Sequence, residues 1–385
     1  MTKSEITARL AGAAASIGEA AWNGCANPDG SADPHPFTRY EFFAACEESG
    51  SATAQTGWRP LHLVIERNGA IEGLLPLYLK SHSQGEYVFD HGWADAFERA
   101  GGAYYPKLQA SVPFTPVTGP RLLTARADEE TRNALLAAGA AAVSELSASS
   151  LHITFMKEDE WKAAGELGYL RRTDQQFHWE NKGYENFDQF LAELSSSKRK
   201  NLRKERAAVF AEGVAFEWLT GAEITEAHWD TFFAFYMDTG DRKWGRPYLT
   251  REFFSRVSAS MGEQVVLILA KRAGAYIAGA LNFAGGGVLF GRNWGCSEYI
   301  PFLHFETCYY QAIEFAIARG LKKVEAGAQG EHKLLRGYLP VPTYSAHFIA
   351  HAGLRRAVAA YLDQEREAVA ENIEALAAHG PFKKI

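Results

Sequence analysis

Between Val324 and Lys333 a short β-type run meets two glycines, Gly327 and Gly330, and then sets a carboxylate, an imidazole and an ammonium in succession as Glu331-His332-Lys333. Glycine lets backbone amides approach a ligand or take positive φ, and Glu and His at a strand exit can accept and return a proton. The chemistry this suits is removal of a proton from an amine as it attacks a carbonyl. His332 would take the proton, and Glu331 or Glu325 would orient the imidazole or hold the amine. A solvated loop of charged residues is the plainer reading of the same stretch.

A second carboxylate stands just upstream. On a helical wheel of 302–319, Phe302, Tyr309, Ile313, Ala316 and Ile317 form an apolar stripe, and Glu306 falls inside it, so that carboxylate is expected to be buried. Burial raises a carboxyl pKa and makes a better base near neutral pH. The competing expectation is a satisfied ion pair with Arg292 or Lys333. His304 lies on another face of that helix, one turn before Cys308, and Tyr310 is expected to pack or to touch substrate. Further back, Leu191, Leu194, Leu202 and Val209 align across a basic run that should be helical. There Lys198, Arg199, Lys200 and Arg203 are either a solvated face or a clamp for phosphates. Asp90 and His91 read equally as a helix start, with Asp90 capping and Trp93 packing, or as part of a site. Tyr104, Tyr105 and Lys107 line a groove or cover the core edge, and Arg242, Lys243, Trp244 and Tyr248 suggest a loop-like cover over the second half.

The elements that must position these residues follow from bulk and pattern. With 385 residues, 47% hydrophobic and 22% charged, the chain exceeds one ordinary core, so two domains are expected. A net charge of -6 argues against general polyanion binding while allowing a local basic groove. Cys25, Cys46, Cys296 and Cys308 lie far apart without metal or disulfide spacing, so no metal site and a reducing compartment are expected. No apolar run has the length of a transmembrane segment, which predicts a cytoplasmic protein. Asn68-Gly69 divides two β-prone runs, 61–67 and 70–79, into a hairpin. A proline-rich span at 112–120 is an edge strand or an extended loop, followed by a helix over 128–145 and a strand over 151–156. The order returns as a hairpin at 264–271 and 276–284, a strand at 288–294, a helix at 302–319 and a strand at 322–325. The fold class is therefore α/β (α+β), two tandem units over 1–183 and 184–385, each a mostly antiparallel sheet flanked by helices.

The segments Gly85–Asp95, Val112–Gly119, Ser197–Asn201, Leu303–Glu306 and Gly327–His332 resemble those of the FemAB-like N-acyltransferases, a bacterial group within the GNAT superfamily. The resemblance implies two tandem GNAT-like domains, an active site in the C-terminal one, and transfer of an acyl or aminoacyl group to an amine. It implies acyl-CoA as co-substrate, no tightly bound cofactor, and a small-molecule or lipid-linked amine as acceptor. The chain departs from GNAT enzymes in lacking the Q/R-x-x-G-x-G/A turn that cradles the CoA pyrophosphate. Residues 117–121 and 295–298 are loose replacements, and Pro120 has no amide to give. Two further functions stay open: an aminoacyl-tRNA-dependent transferase acting on a cell-wall precursor, and a non-catalytic binding scaffold.

Overall fold

The computed structural model describes residues 5–243, 247–327 and 330–383, so Trp244, Ala328 and Gln329 lie outside the described residues. The chain runs β1 (Ile6–Ala11), α1 (Glu19–Ala26), α2 (Tyr40–Glu48), β2 (Trp58–Pro60), β3 (His62–Arg67), β4 (Ala70–Leu75), β5 (Leu77–Lys80), α3 (His91–Arg99), β6 (Lys107–Ala110), β7 (Leu123–Thr124), α4 (Glu129–Glu145), β8 (Ser150–Met156), α5 (Glu158–Glu166) and β9 (Leu170–Glu180). It continues through α6 (Phe187–Glu193), α7 (Ser196–Ala211), β10 (Val214–Thr220), α8 (Glu226–Lys243), α9 (Arg251–Met261), β11 (Val265–Arg272), β12 (Ala275–Gly285), β13 (Val288–Cys296), α10 (Leu303–Phe305), α11 (Gln311–Ala318), β14 (Lys323–Glu325), β15 (Leu339–Ile349) and α12 (Ala352–Ala378).

Two compact units result, Met1–Asp174 with Pro342–Glu371 and Gln175–Val341 with Asn372–Ile385. A single division at 183/184 was expected; in these units residues 342–371 also return to unit 1. The chain returns to unit 1 because β15 pairs antiparallel with β8, His347 beside His152, and α12 buries Leu354, Val358 and Leu362 against Trp93 and Tyr104. No local signal marks that return.

Unit 1 holds an antiparallel sheet in the order β1-β3-β4-β7 and a run of strands β15-β8-β6-β5-β2, in which only β6 and β8 are parallel. Asn68 and Gly69 take positive φ, 51° and 81°, and close the β3–β4 hairpin as their sequence predicts. The strand expected over 70–79 is split at Pro76, whose missing amide breaks the ladder and lets the chain pass from one sheet to the other. Asp128 caps α4 by accepting from the amides of Glu130 and Thr131. Unit 2 has the order β10-β11-β12-β13-β14-β9, antiparallel except for β13 with β14. Its core joins Trp179, Phe190, Leu202, Ile268, Ile313 and Val324. The span 238–247, expected as a loop, is helical through Lys243.

Candidate functional site

The strand pair β13–β14 organises unit 2. The two run parallel and in register for Val288↔Lys323, Leu289↔Val324 and Phe290↔Glu325. Beyond that point β13 continues to Cys296, still paired on its other edge with β12, Cys296 beside Ala278. Among the described residues the β13–β14 pairing ends at Phe290↔Glu325, and the two chains part there. Beside it a cavity of about 510 Å³ is lined by Trp294, Cys296, Ile300, Pro301, His304 and Phe305.

The helix expected over 302–319 is not uniform. Phe302 enters it with φ 67°, and after α10 one π-turn spans Glu306–Tyr310 before α11 resumes. In an α-helix residues five apart sit about 140° apart around the axis. The π-turn brings such pairs together. His304 and Tyr309 have ring centroids 5.4 Å apart, and Gln311 Nε2 donates to Glu306 Oε1 at 2.8 Å. The helical-wheel reading counts Tyr309 only as packing, because nothing in the sequence announces an i+5 geometry.

Glu306 is fully buried, and its ion-pair partner is neither Arg292 nor Lys333. Arg206 of α7 grips it with two bonds, Nε to Oε2 at 3.1 Å and Nη2 to Oε1 at 2.9 Å, and also binds Glu314. Desolvation raises the Glu306 pKa against the pull of Arg206. With both oxygens already accepting, this carboxylate anchors the π-turn to α7. Tyr310 is likewise buried and donates to Glu205, which also pairs with Arg336 at 2.9 Å. So α7 turns Glu205 and Arg206 inward. On its outer side Lys200 and Arg203 are exposed and Lys198 and Arg199 half-buried, with Arg203 3.1 Å from Asp188.

Beyond the β14 exit, a 3-10 helix spans Glu331–Arg336. Glu331 and His332 are exposed, and His332 Nε2 lies 3.0 Å from the Tyr309 hydroxyl, so His304, Tyr309 and His332 form one cluster. Gly330 has φ 117°, and a Cβ there would stand 2.5 Å from the His332 ring. Only glycine allows the imidazole this position. Lys333 turns inward, 2% exposed, with Nζ donating to the Gly327 carbonyl at 2.9 Å. Burial brings its pKa down to about 7, with the charge of Arg292 acting in the same direction. Glu325, at the end of β14, is 3% exposed and bonded through Oε1 to Lys323 at 2.6 Å. Its Oε2 accepts no hydrogen bond and lies 3.9 Å from His178, which burial holds at a pKa of about 4 and therefore neutral. His304, Tyr309 and His332 thus meet beside the β14 exit, where Lys333 is bonded to Gly327, while Glu325 faces Lys323 and His178 and Glu306 and Tyr310 face α7.

The remaining sequence candidates lie in unit 1. Asp90 occupies the N-cap position of α3 but makes no side-chain cap bond; it is buried and bound to Lys107 and Tyr104. His91 is exposed and stacks on Phe89. The span 112–120 forms no strand, and Arg121 behind it is 1% exposed and donates to the carbonyls of Val117, Gly119 and Thr154. This first loose replacement for a pyrophosphate cradle is therefore turned inward. In the second, Glu298 faces Arg272. Among the described residues no group of His, Cys, Asp or Glu is placed to hold a metal ion, and no helix is long and apolar enough to cross a membrane.

Comparison with known proteins agrees with this architecture. FemX matches with 13% identity over 88% of this chain and 98% of its own, with a TM-score of 0.54. L-PGS from Bacillus licheniformis matches with 11% identity over 83% and 94%, with a TM-score of 0.51. A tandem GNAT protein from the clavulanic acid biosynthesis pathway matches with 11% identity over 90% and 99%, at 0.49. No curated protein sequence matches the chain. The class is that of a transferase of acyl or aminoacyl groups. More narrowly, the chain belongs to the FemAB-like family, described as acting in peptidoglycan biosynthesis/recognition, whose model matches residues 13–384.

Proposed function

We propose that unit 2 transfers an acyl group from a thioester or ester donor to an amine by direct attack. The observation that carries this reading is the parting of β13 from β14, with Lys333 reaching the chain that leaves β14 and His332 beside it. The neutral amine attacks the carbonyl carbon. The His332 imidazole receives the proton the amine sheds. Lys333 and the β13 amides meet the charge that develops on the carbonyl oxygen. The C–S or C–O bond then breaks, and the leaving group recovers a proton. Glu325 Oε2 is suited to holding the ammonium form of the acceptor, and Glu306 acts as a positioning residue through Arg206.

With acyl-CoA donors and amine acceptors, His332→Ala and Lys333→Met are expected to lower kcat/KM by about 10²–10⁴-fold. Glu306→Gln, which touches no reacting atom, should cost less. Unchanged turnover in the first two variants sinks the assignment.

A second donor, aminoacyl-tRNA, is favoured by the inward-turned stretch at 117–121 and by the outer face of α7 with Lys198, Arg199, Lys200 and Arg203. A cell-wall precursor would then be the acceptor. Lys200→Ala with Arg203→Ala should weaken tRNA binding and reduce its salt dependence. Absence of salt-dependent tRNA binding removes this donor.

A further inference from the structure

The cavity of about 510 Å³ beside β13 has the size of a small-molecule pocket. Trp294 and Cys296 of β13, with Ile300, Leu303 and Phe305 from the chain that follows, give it an apolar wall. Ile300 and Leu303 are anchored in a buried cluster with Val209, Val214 and Ile277, and Trp294 and Cys296 pack against that cluster. The wall is therefore set by the core of unit 2. Among the described residues no lysine or arginine lines the cavity, and its one carboxylate, Glu298, is held by Arg272 at 2.5 Å. A phosphate would find no cation there, and an unpaired charge is costly to bury.

The rim is apolar as well. Tyr299 is 91% exposed and Phe302 38%, two large hydrophobic side chains left in solvent where they line the cavity. Exposed apolar surface of this kind marks ligand grooves, because a ligand that covers it removes it from water. Phe302 also takes φ 67°, an outlier for a bulky aromatic residue, and backbone strain collects at ligand sites.

One residue joins the cavity to the proposed chemistry. His304 lines it, with its ring 5.1 Å from that of Trp294 inside the wall, 5.4 Å from Tyr309 and 6.3 Å from His332. A group attached to a carbonyl beside His332 would pass His304 into the cavity. Glu325, suited to the ammonium of the acceptor, stands on β14 against Lys323 and His178, and none of these three belongs to the cavity wall. The acceptor is thus held elsewhere, and the cavity is left to the donor.

We propose that this cavity is the acyl subsite of unit 2, built for an uncharged, medium-chain apolar acyl group. The carbonyl carbon lies at the His304 end and the hydrocarbon between Trp294, Ile300 and Phe305. The proposal rests on the transfer reading of unit 2 and narrows its donor to acyl groups without an α-amino group.

The test uses N-acetylcysteamine thioesters, which carry the acyl group without a nucleotide. Turnover is measured on the thioesters with an amine acceptor; binding is measured by calorimetry, without acceptor, on analogues in which an amide replaces the thioester. From butanoyl to octanoyl, affinity should rise about threefold to fourfold per methylene. His332→Ala should keep that rise while turnover falls. Cys296→Phe narrows the cavity and should abolish the rise while sparing the acetyl compound. Tyr299→Ser, at an exposed position that folding does not depend on, should weaken the octanoyl analogue at least threefold and leave the acetyl one unchanged. A 4-methylpentanoyl thioester should be preferred over leucyl, which differs only by its α-ammonium. A rise in affinity without turnover of any thioester removes the transfer reading and keeps the cavity as an acyl site. Absence of binding, turnover indifferent to chain length, preference for leucyl, or indifference of octanoyl affinity to both Cys296→Phe and Tyr299→Ser overturns the subsite.

Discussion

Both units bury lysines among ionisable neighbours, and Lys107 of unit 1 and Lys333 of unit 2 are treated in opposite ways. In unit 1 Lys107 is held between Glu86 and Asp90; burial alone would lower its pKa, but the two carboxylates outweigh it and keep the pKa above the usual value. In unit 2 Lys333 has one carbonyl partner and is held near neutrality by burial. A lysine fixed by counter-charges holds a fold together, whereas one left near its titration point can exchange a proton or meet a transient charge.

The sharpest way to break this contrast is to make the same substitution twice. Lys107→Met strands two buried carboxylates and should cost about 3–5 kcal/mol by denaturant unfolding. Lys333→Met removes a buried amine with a single hydrogen bond and should leave stability at pH 6 unchanged or raised while transfer is lost. Equal destabilisation by both would erase the distinction. Within unit 2, Arg206→Ala leaves Glu306 buried without its cation and should also cost about 3 kcal/mol. Arg203→Ala, three residues away on the outer face, should change the unfolding free energy by less than about 0.5 kcal/mol.

A smaller effect concerns pH. Burial lowers Lys80 to about 7, as it does Lys333, from the ordinary lysine value of 10.5. Between those values the unfolded chain binds protons that the folded chain does not, so stability rises with pH across the window and is lost as pH falls toward 7. Lys80→Met and Lys333→Met should each flatten the plot of unfolding free energy against pH. An unchanged slope in both variants would show that neither amine is neutral in the folded protein.

The parts of the fold legible in the sequence are those with local causes. Asn68-Gly69 announces its turn, and Asp128 announces the start of α4. Arg206 as the partner of Glu306 was not legible, because the two are 100 positions apart and the wheel of α7 only places Arg206 on a flank. A polar sheet face in unit 1 was hidden differently. Lys80, Lys107 and His152 alternate with Leu79, Leu108 and Leu151, the pattern of a strand with one wet face; what buries it is the segment carrying Glu86, α3 and Tyr104. The strand exit at Glu325–Lys333 stood out from composition alone. That its imidazole meets Tyr309, and not Glu306, depends on a backbone geometry without a sequence signature.

The π-turn at Glu306–Tyr310 makes residue count itself a functional variable. It acts as a gear between two meshes: His304 and Tyr309 engage the loop after β14 on one side, while Glu306 and Tyr310 engage α7 on the other. Closing it into an ordinary α-helix with every residue kept would set His304 and Tyr309, and likewise Glu306 and Gln311, about 140° apart around the axis and part both pairs. The length of this segment is therefore under a constraint as strict as the identity of any residue within it.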